Sequence, residues 1–401
     1  MPDSEDANDL ERFRSETHRW LLENAPPSMR EPLKSENDLC WGGKKREYPA
    51  DVKRWLQVMA ERGWTAPTWP ECYGGGGLSK ARAKVLAEEM ARLGLRPALF
   101  GVALTMIGPL LLQEGSEEQK RRHIPAIVRG ERLWCQGYSE PGAGSDLASL
   151  QTGAVADGDD FILNGQKIWT SLADKADWMF LLARTDPQAK KGEGITFLLM
   201  DMESAGVTVR PIKLIAGNSH FCETFFTDVR VPRENVVGRI NGGWSIAKAL
   251  LGFERSAIGG MFKKERPEGD PLVALARRYI DASEKEIGDP MVRDRITRIR
   301  MDQKRLEFTL ARTAENAKAG HKPGPESSIL KYYGSELNMR RQELIQSILG
   351  PHALGWSGEG VDPREVRMTK EWLRSRGNSI EGGTSEIQLN IIAKRVLGLP
   401  E

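Results

Sequence analysis

The chain has 401 residues, 39% of them hydrophobic, with 58 basic and 56 acidic side chains and a formal net charge of +2. That length exceeds what one ordinary core holds and predicts two or three packed domains. The even charge balance argues against nucleic acid as a partner, which would select a basic stripe, and the longest apolar runs, such as residues 179–183, are far too short to span a membrane. The start, "MPDSEDANDLERF", is acidic and polar, the opposite of a signal peptide. Cys40, Cys72, Cys135 and Cys222 form no CxxC pair, which speaks against a disulfide framework or a zinc site and for a reducing, cytoplasmic setting.

Residues 1–130 read as a helical domain. Val52, Trp55, Leu56 and Met59 recur at helical spacing. A second helix follows with Ser79 as N-cap and Gly94 as its stop, and "GSEEQKRRHIPAIVRG" starts another with acids in its first turn. The loop "CYGGGGLS" lacks the Lys-Ser/Thr pair of a phosphate-binding P-loop, so a sterically permissive turn is the better reading.

The pattern changes at about residue 131. "DDFILNGQKIWTS" reads as two short apolar runs around Asn164-Gly165, a hairpin signal, and "WMFLLARTD", "GITFLLMDM", "GVTVRPIKL" and "ETFFTDVRVP" continue as strands. Residues 131–237 are therefore expected to form an antiparallel β-domain, a small barrel or sandwich. No GxGxxG follows a strand, which removes the Rossmann reading. Residues 238–401 are helical again. Val292, Ile296, Ile299, Leu306 and Leu310 keep one apolar stripe, and Ile329, Tyr333, Leu337, Leu344 and Ile348 keep another. Long amphipathic helices with few loops imply a bundle. The expected class is α+β: helices, strands, helices.

Four places could carry chemistry. "YSEPGAGSD", residues 138–146, offers hydroxyls and exposed amides suited to a ring cofactor or a pyrophosphate, or is a Pro-Gly turn capped by Ser and Asp. Trp169, beside Thr170 and Ser171, could lie against a flat cofactor or be core. Glu254 falls on the stripe of Ala247, Leu251 and Ile258, where a carboxylate is either a general base with a raised pKa or the partner of an arginine such as Arg255. "SIEGGTSEI", residues 379–387, sets Glu381 and Glu386 around glycines that permit close approach to a ligand. The five histidines have no metal-ligand spacing, and Cys135 has no activating partner in sequence.

Together these segments resemble the acyl-CoA dehydrogenase family, flavoenzymes that introduce a 2,3-double bond into acyl-CoA thioesters. "CQGYSEPGAGSD", "NGQKIWTS", "FTDVRVPRENVVG" and "IEGGTSEI" are similar to four of its signatures, in the family's order. The resemblance implies an N-terminal helical domain, a middle β-domain and a C-terminal four-helix bundle. It implies FAD held by Gln136, Tyr138, Ser139, Ser145, Trp169, Thr170, Ser171, Thr384, Ser385 and Glu386, with Ser145, Arg255 and Gly383 near the substrate. It further implies an electron-transfer flavoprotein as acceptor and a homotetramer or homodimer.

Two departures qualify what the resemblance implies. Most relatives carry a glutamate immediately before the Gly-Thr pair of the C-terminal loop; here that position is Gly382, with Glu381 one residue away. A branch similar to isovaleryl-CoA dehydrogenase places its base directly before an arginine on the first C-terminal helix, which "FERSAIGG" matches. Glu254 is therefore the expected base, with Glu381 the alternative. The family's Arg-x-x-Phe-Gly motif is missing around "EKEIGDPMVRDRI", and its expected glutamine is Ser347 with Gln346 alongside. The ADP half of FAD is therefore expected to bind differently, or partly through a non-identical partner. The sequence most resembles bacterial members linked to dicarboxylic, cyclic or steroid-side-chain acyl-CoAs, several of which work as heterotetramers, so a heterotetramer with a related subunit is the other assembly expected. Alternative readings are an acyl-CoA oxidase or a subunit that completes a partner's site.

Overall fold

The computed structural model describes residues 6–31, 33, 38–251, 270–280, 287–319, 324–325 and 327–400. Two compact units divide the chain: Met1–Ile212 with His220–Phe253, and Lys213–Ser219 with Glu254–Glu401.

The first unit opens with helices α1 (Ala7–Asn24), α2 (Ala50–Glu61), α3 (Lys80–Arg92), α4 (Gly108–Glu114) and α5 (Glu117–Val128). Their ends are set locally. Ser79 accepts from the Arg82 amide, and Ser116 and Gln119 form a reciprocal capping box. Val52, Trp55 and Met59 of α2 are buried with Leu21 and Trp64. The 72–79 loop is a tight turn packed on Trp69 rather than an open cradle, because a Cβ on Gly75 would lie 2.3 Å from the Trp69 carbonyl oxygen.

Seven strands follow: β1 (Trp134–Gly137), β2 (Gly153–Asp157), β3 (Asp160–Ser171), β4 (Trp178–Arg184), β5 (Ile195–Asp201), β6 (Val207–Ile212) and β7 (Phe221–Pro232). They form one sheet in the order β1-β4-β2-β3-β7-β6, with β5 paired to β4. Most pairings are antiparallel, as expected; β1 and β2 run parallel to β4. Both faces of β4 and β5 are covered, so these strands are apolar along nearly their whole length. On one side Phe180 and Phe197 stack at 6.1 Å, and His123 of α5 is wedged between Trp134 and Trp178. Burial pushes the His123 imidazole down to about 3, helped by the neighbouring Arg132 and Arg122 charges.

One local expectation fails. Asn164-Gly165 is not a hairpin turn; β3 runs straight through it, and the turn lies between Asp157 and Asp160. The Asn164 side chain is held by Asp228, donating to its carboxylate and accepting from its amide. The extra residue of the bulge lies on β7, where Asp228 adopts φ 51°, across from Asn164-Gly165 with Gly165 at φ 147°. A hydrogen-bonded partner on a distant strand overrides the dipeptide's turn preference.

In the second unit the described helices are Pro271–Tyr279, Pro290–Lys318, Ser327–Leu349, Pro363–Ser375 and Ser385–Ile391. The predicted stripe Val292, Ile296, Ile299, Leu306 and Leu310 is buried throughout, packed with Leu337, Leu344 and Ile348 of the next long helix. Asp302 crosses this interface to the Arg340 guanidinium at 2.8 Å.

Candidate active site

The 138–146 segment leaves β1 and folds back at once. Glu140 and Ala143 exchange backbone hydrogen bonds, at 3.1 and 3.0 Å, which closes the Glu140–Ala143 turn. Gly142, Gly144 and Ser145 project from it into open space, with nothing within 4 Å of where a Cβ on either glycine would lie. Tyr138 packs edge-on against Phe180 and Phe197 beneath the turn, and Gln136 is half-buried on β1 opposite Phe180. Ser139 is half-buried, and its carbonyl accepts from the Ile168 amide at 2.9 Å.

That last bond joins the segment to the end of β3. The β3–β7 register slips between Lys167 and Thr170, and Trp169 sits in the slip at φ 62°, with Leu172 at φ 56°. Left-handed backbone at bulky residues is costly, of order 1–3 kcal/mol each, and collects at functional sites. The Trp169 ring is 55% exposed, edge-on to Phe221 at 6.2 Å. Thr170 is fully buried and Ser171 half-buried. Trp169 is therefore a presented ring rather than core.

Beneath both segments lies a feature the sequence reading missed. Lys167 is fully buried, and its Nζ donates to Glu140 Oε1 at 2.7 Å and to the Tyr138 carbonyl at 3.1 Å. The Glu140 carboxylate also accepts from the amides of Gln151 and Thr152 at 2.7 and 2.9 Å. Burial pushes the Lys167 ammonium down to about 8, with Glu140 opposing the shift. For Glu140, burial acts to raise the pKa, but Lys167 and the hydrogen bonds together outweigh it and hold the carboxyl below its usual range. Strand alternation carried the signal: Lys167 shares the odd-numbered face of β3 with buried Phe161 and Leu163, where a charge must find a partner.

In the second unit, the 379–387 loop is held by its own network. Glu381 accepts from Arg374 Nη2 at 2.6 Å and from Asn378 Nδ2 at 2.7 Å. Asn378 in turn accepts from Asn338 through its side chain at 2.8 Å and from Lys331 Nζ through its carbonyl at 2.9 Å. Gly382 and Gly383 adopt φ 65° and 88°, and a Cβ on Gly383 would meet Gln388 Nε2 at 2.5 Å. Thr384 caps the Ser385–Ile391 helix, accepting from the Ile387 amide, and Ser385 donates to Glu336 at 3.1 Å. Glu386 is exposed in the first helical turn, where bonds from its own amide and the Thr384 hydroxyl hold its pKa low.

Helical residues 243–251 bury Ile246, Ala247 and Leu250. Glu254, Arg255 and Ile258 lie outside the described residues. Cys135 is buried, and burial pushes its thiol up, away from nucleophilic use. No metal-binding group of side chains is present among the described residues, and no described helix is long and apolar enough to cross a membrane.

Comparison with known proteins assigns these segments. Residues 10–131, 135–229 and 241–397 match, in turn, the N-terminal, middle and C-terminal domains of acyl-CoA dehydrogenase. The acyl-CoA dehydrogenase IpdE1 of Mycobacterium tuberculosis is 38% identical over 396 residues, 98% of each chain. The chain belongs to the acyl-CoA dehydrogenase family. Acyl-CoA dehydrogenases are oxidoreductases, and this chain is an enzyme of that class. A solved Tcur3481-Tcur3483 steroid ACAD is similar at TM-score 0.76 and 28% identity over 100% of both chains. The ChsE4-ChsE5 complex from Mycobacterium tuberculosis is similar at TM-score 0.72 and 28% identity, again over 100% of both. The acyl-CoA dehydrogenase expectation stands, and the oxidase alternative gains nothing from these relatives.

Proposed function

We propose that this acyl-CoA dehydrogenase binds FAD and acts on a bulky, polycyclic acyl-CoA of steroid type, with Glu254 as its base. The observation that carries the cofactor reading is the pairing of an open, amide- and hydroxyl-bearing turn at 142–145 with a presented, backbone-strained Trp169 on the adjoining strand. A flat ring with a polar edge fits those groups: Ser139, Ser145 and Ser171 supply hydroxyls, and the indole supplies an apolar face. Gln136, Tyr138 and Thr170 back that surface. Thr384, Ser385 and Glu386 are proposed as further FAD contacts. When bound, FAD supplies the hydride acceptor.

The chain's own residues then have distinct tasks. A thioester α-proton is weakly acidic, so removal needs a carboxylate that can turn toward it. Glu381 is less suited, because Arg374 and Asn378 hold its carboxylate within its own loop. That favours Glu254, with Arg255 beside it for the CoA portion and Gly383 for close backbone approach. Backbone and hydroxyl donors must also stabilise the charge that develops on the thioester oxygen. The steroid reading rests on the likeness to the steroid ACAD, and a heteromeric assembly on the paired chains named in both structural relatives. An electron-transfer flavoprotein is proposed as acceptor, and the setting as cytoplasmic.

The test compares Glu254→Gln with Glu381→Gln in anaerobic flavin reduction by a steroid-side-chain CoA thioester. Loss of a general base lowers the rate by about 10²–10⁴-fold, expected for Glu254→Gln, whereas Glu381→Gln should stay within a few fold. The reverse pattern would sink the assignment. A straight-chain thioester that outperforms the steroid one would sink the substrate class.

A further inference from the structure

We propose that the buried Glu140–Lys167 pair is a positioning device that locks the 139–145 turn and Trp169 into one flavin-binding unit. The inference rests on the FAD reading above. Lys167 stands at the junction of the two segments. Its ammonium reaches the Tyr138 carbonyl and Glu140 on one side, while its own strand continues within two residues to Trp169. The next residue, Ile168, donates its amide to Ser139. Three bonds thus tie consecutive residues 138, 139 and 140 to residues 167 and 168. Glu140 extends the tie to a third segment through the amides of Gln151 and Thr152.

Stability alone does not account for this arrangement. Two charges removed from water recover little more than their desolvation cost, and an apolar pair of similar volume often serves as well. The pair does make the turn's register discrete. An ammonium with three donors and a carboxylate with two oxygens accept one geometry, whereas an apolar contact tolerates sliding. The clamped turn is the one that presents Gly142, Gly144 and Ser145, and the clamped strand is the one that holds Trp169 at positive φ.

The test uses the full chain carrying Glu140→Gln and Lys167→Met together, which removes the charge pair and leaves one side-chain oxygen to accept from the Gln151 and Thr152 amides. Glu140→Gln alone is measured alongside it, with FAD dissociation constant, flavin reduction potential and amide exchange as readouts. The double variant is expected to melt near the wild type yet bind FAD at least tenfold more weakly, with a shifted potential. In the FAD-free protein its Ile168 amide should exchange at least tenfold faster. Glu140→Gln alone leaves the buried Lys167 ammonium without its carboxylate and should move the same quantities in the same direction at least as far, so either variant that folds decides the test. FAD affinity within twofold of the wild type, with unchanged Ile168 exchange, overturns the inference alone. A wild-type chain that takes up no FAD overturns the reading beneath it.

Discussion

Glu140 and Glu381 each lie in a glycine-bearing loop and each accept from a cation, at 2.7 and 2.6 Å. Their surroundings differ. Lys167 and Glu140 are 0% and 9% exposed as side chains, whereas Arg374 and Glu381 are 34% and 42% exposed. Water can replace either partner of the second pair but neither partner of the first. The buried pair therefore ties the backbone around it, whereas the exposed pair shares the holding of its loop with Asn378 and with water. Under the proposed function, a turn that presents amides to a flat ring benefits from the first kind of anchor.

The largest effect should come from splitting the buried pair. Lys167→Met alone leaves a buried carboxylate without its cation and should destabilise the first unit by roughly 3–5 kcal/mol. The double variant with Glu140→Gln should recover most of that in urea denaturation. Equal losses in single and double variants would show that the pair does not act as a pair.

A second effect tests burial in the same unit. Burial holds the His123 pKa down at about 3 in the folded chain, so the ring is neutral above that pH, whereas it titrates near 6.5 when unfolded. The unfolded state therefore binds the extra proton between those values, and stability falls as pH drops from about 6.5 toward 3. The single group contributes about 3 kcal/mol of loss by pH 4. Melting of His123→Gln should be less acid-sensitive by about that amount; parallel pH curves would refute it.

Smaller effects belong to the C-terminal loop. Thr384→Ala removes an N-cap and should cost about 1 kcal/mol. Glu381→Gln should cost less than about 1 kcal/mol, as exposed ion pairs do, and its effect should shrink further in high salt. A loss for Glu381→Gln as large as that for Lys167→Met would erase the contrast between the two loops.

The parts legible in sequence were those whose causes are local. Ser79 caps its helix because the acceptor and the Arg82 amide are three residues apart. The stripe from Val292 to Leu310 is buried because helical spacing puts those side chains on one face. The glycine-rich loops and the strand content followed in the same way. Asn164-Gly165 was misread because its partner, Asp228, is 64 residues away. Trp169 was ambiguous between core and cofactor until the bulge against β7 exposed it.

By itself, the sequence determined the order of helices and strands, the helix caps, the apolar faces and the family signatures, all of which depend on residues within a few positions of one another. Only the tertiary structure decided which carboxylate is clamped and which is exposed. Glu140 meets Lys167 across 27 residues because the segment after β1 folds onto β3, and Glu381 meets Arg374 through the bend between two helices. Spacing in the chain does not encode burial at a contact of that kind, and burial sets whether an ion pair holds a backbone in place.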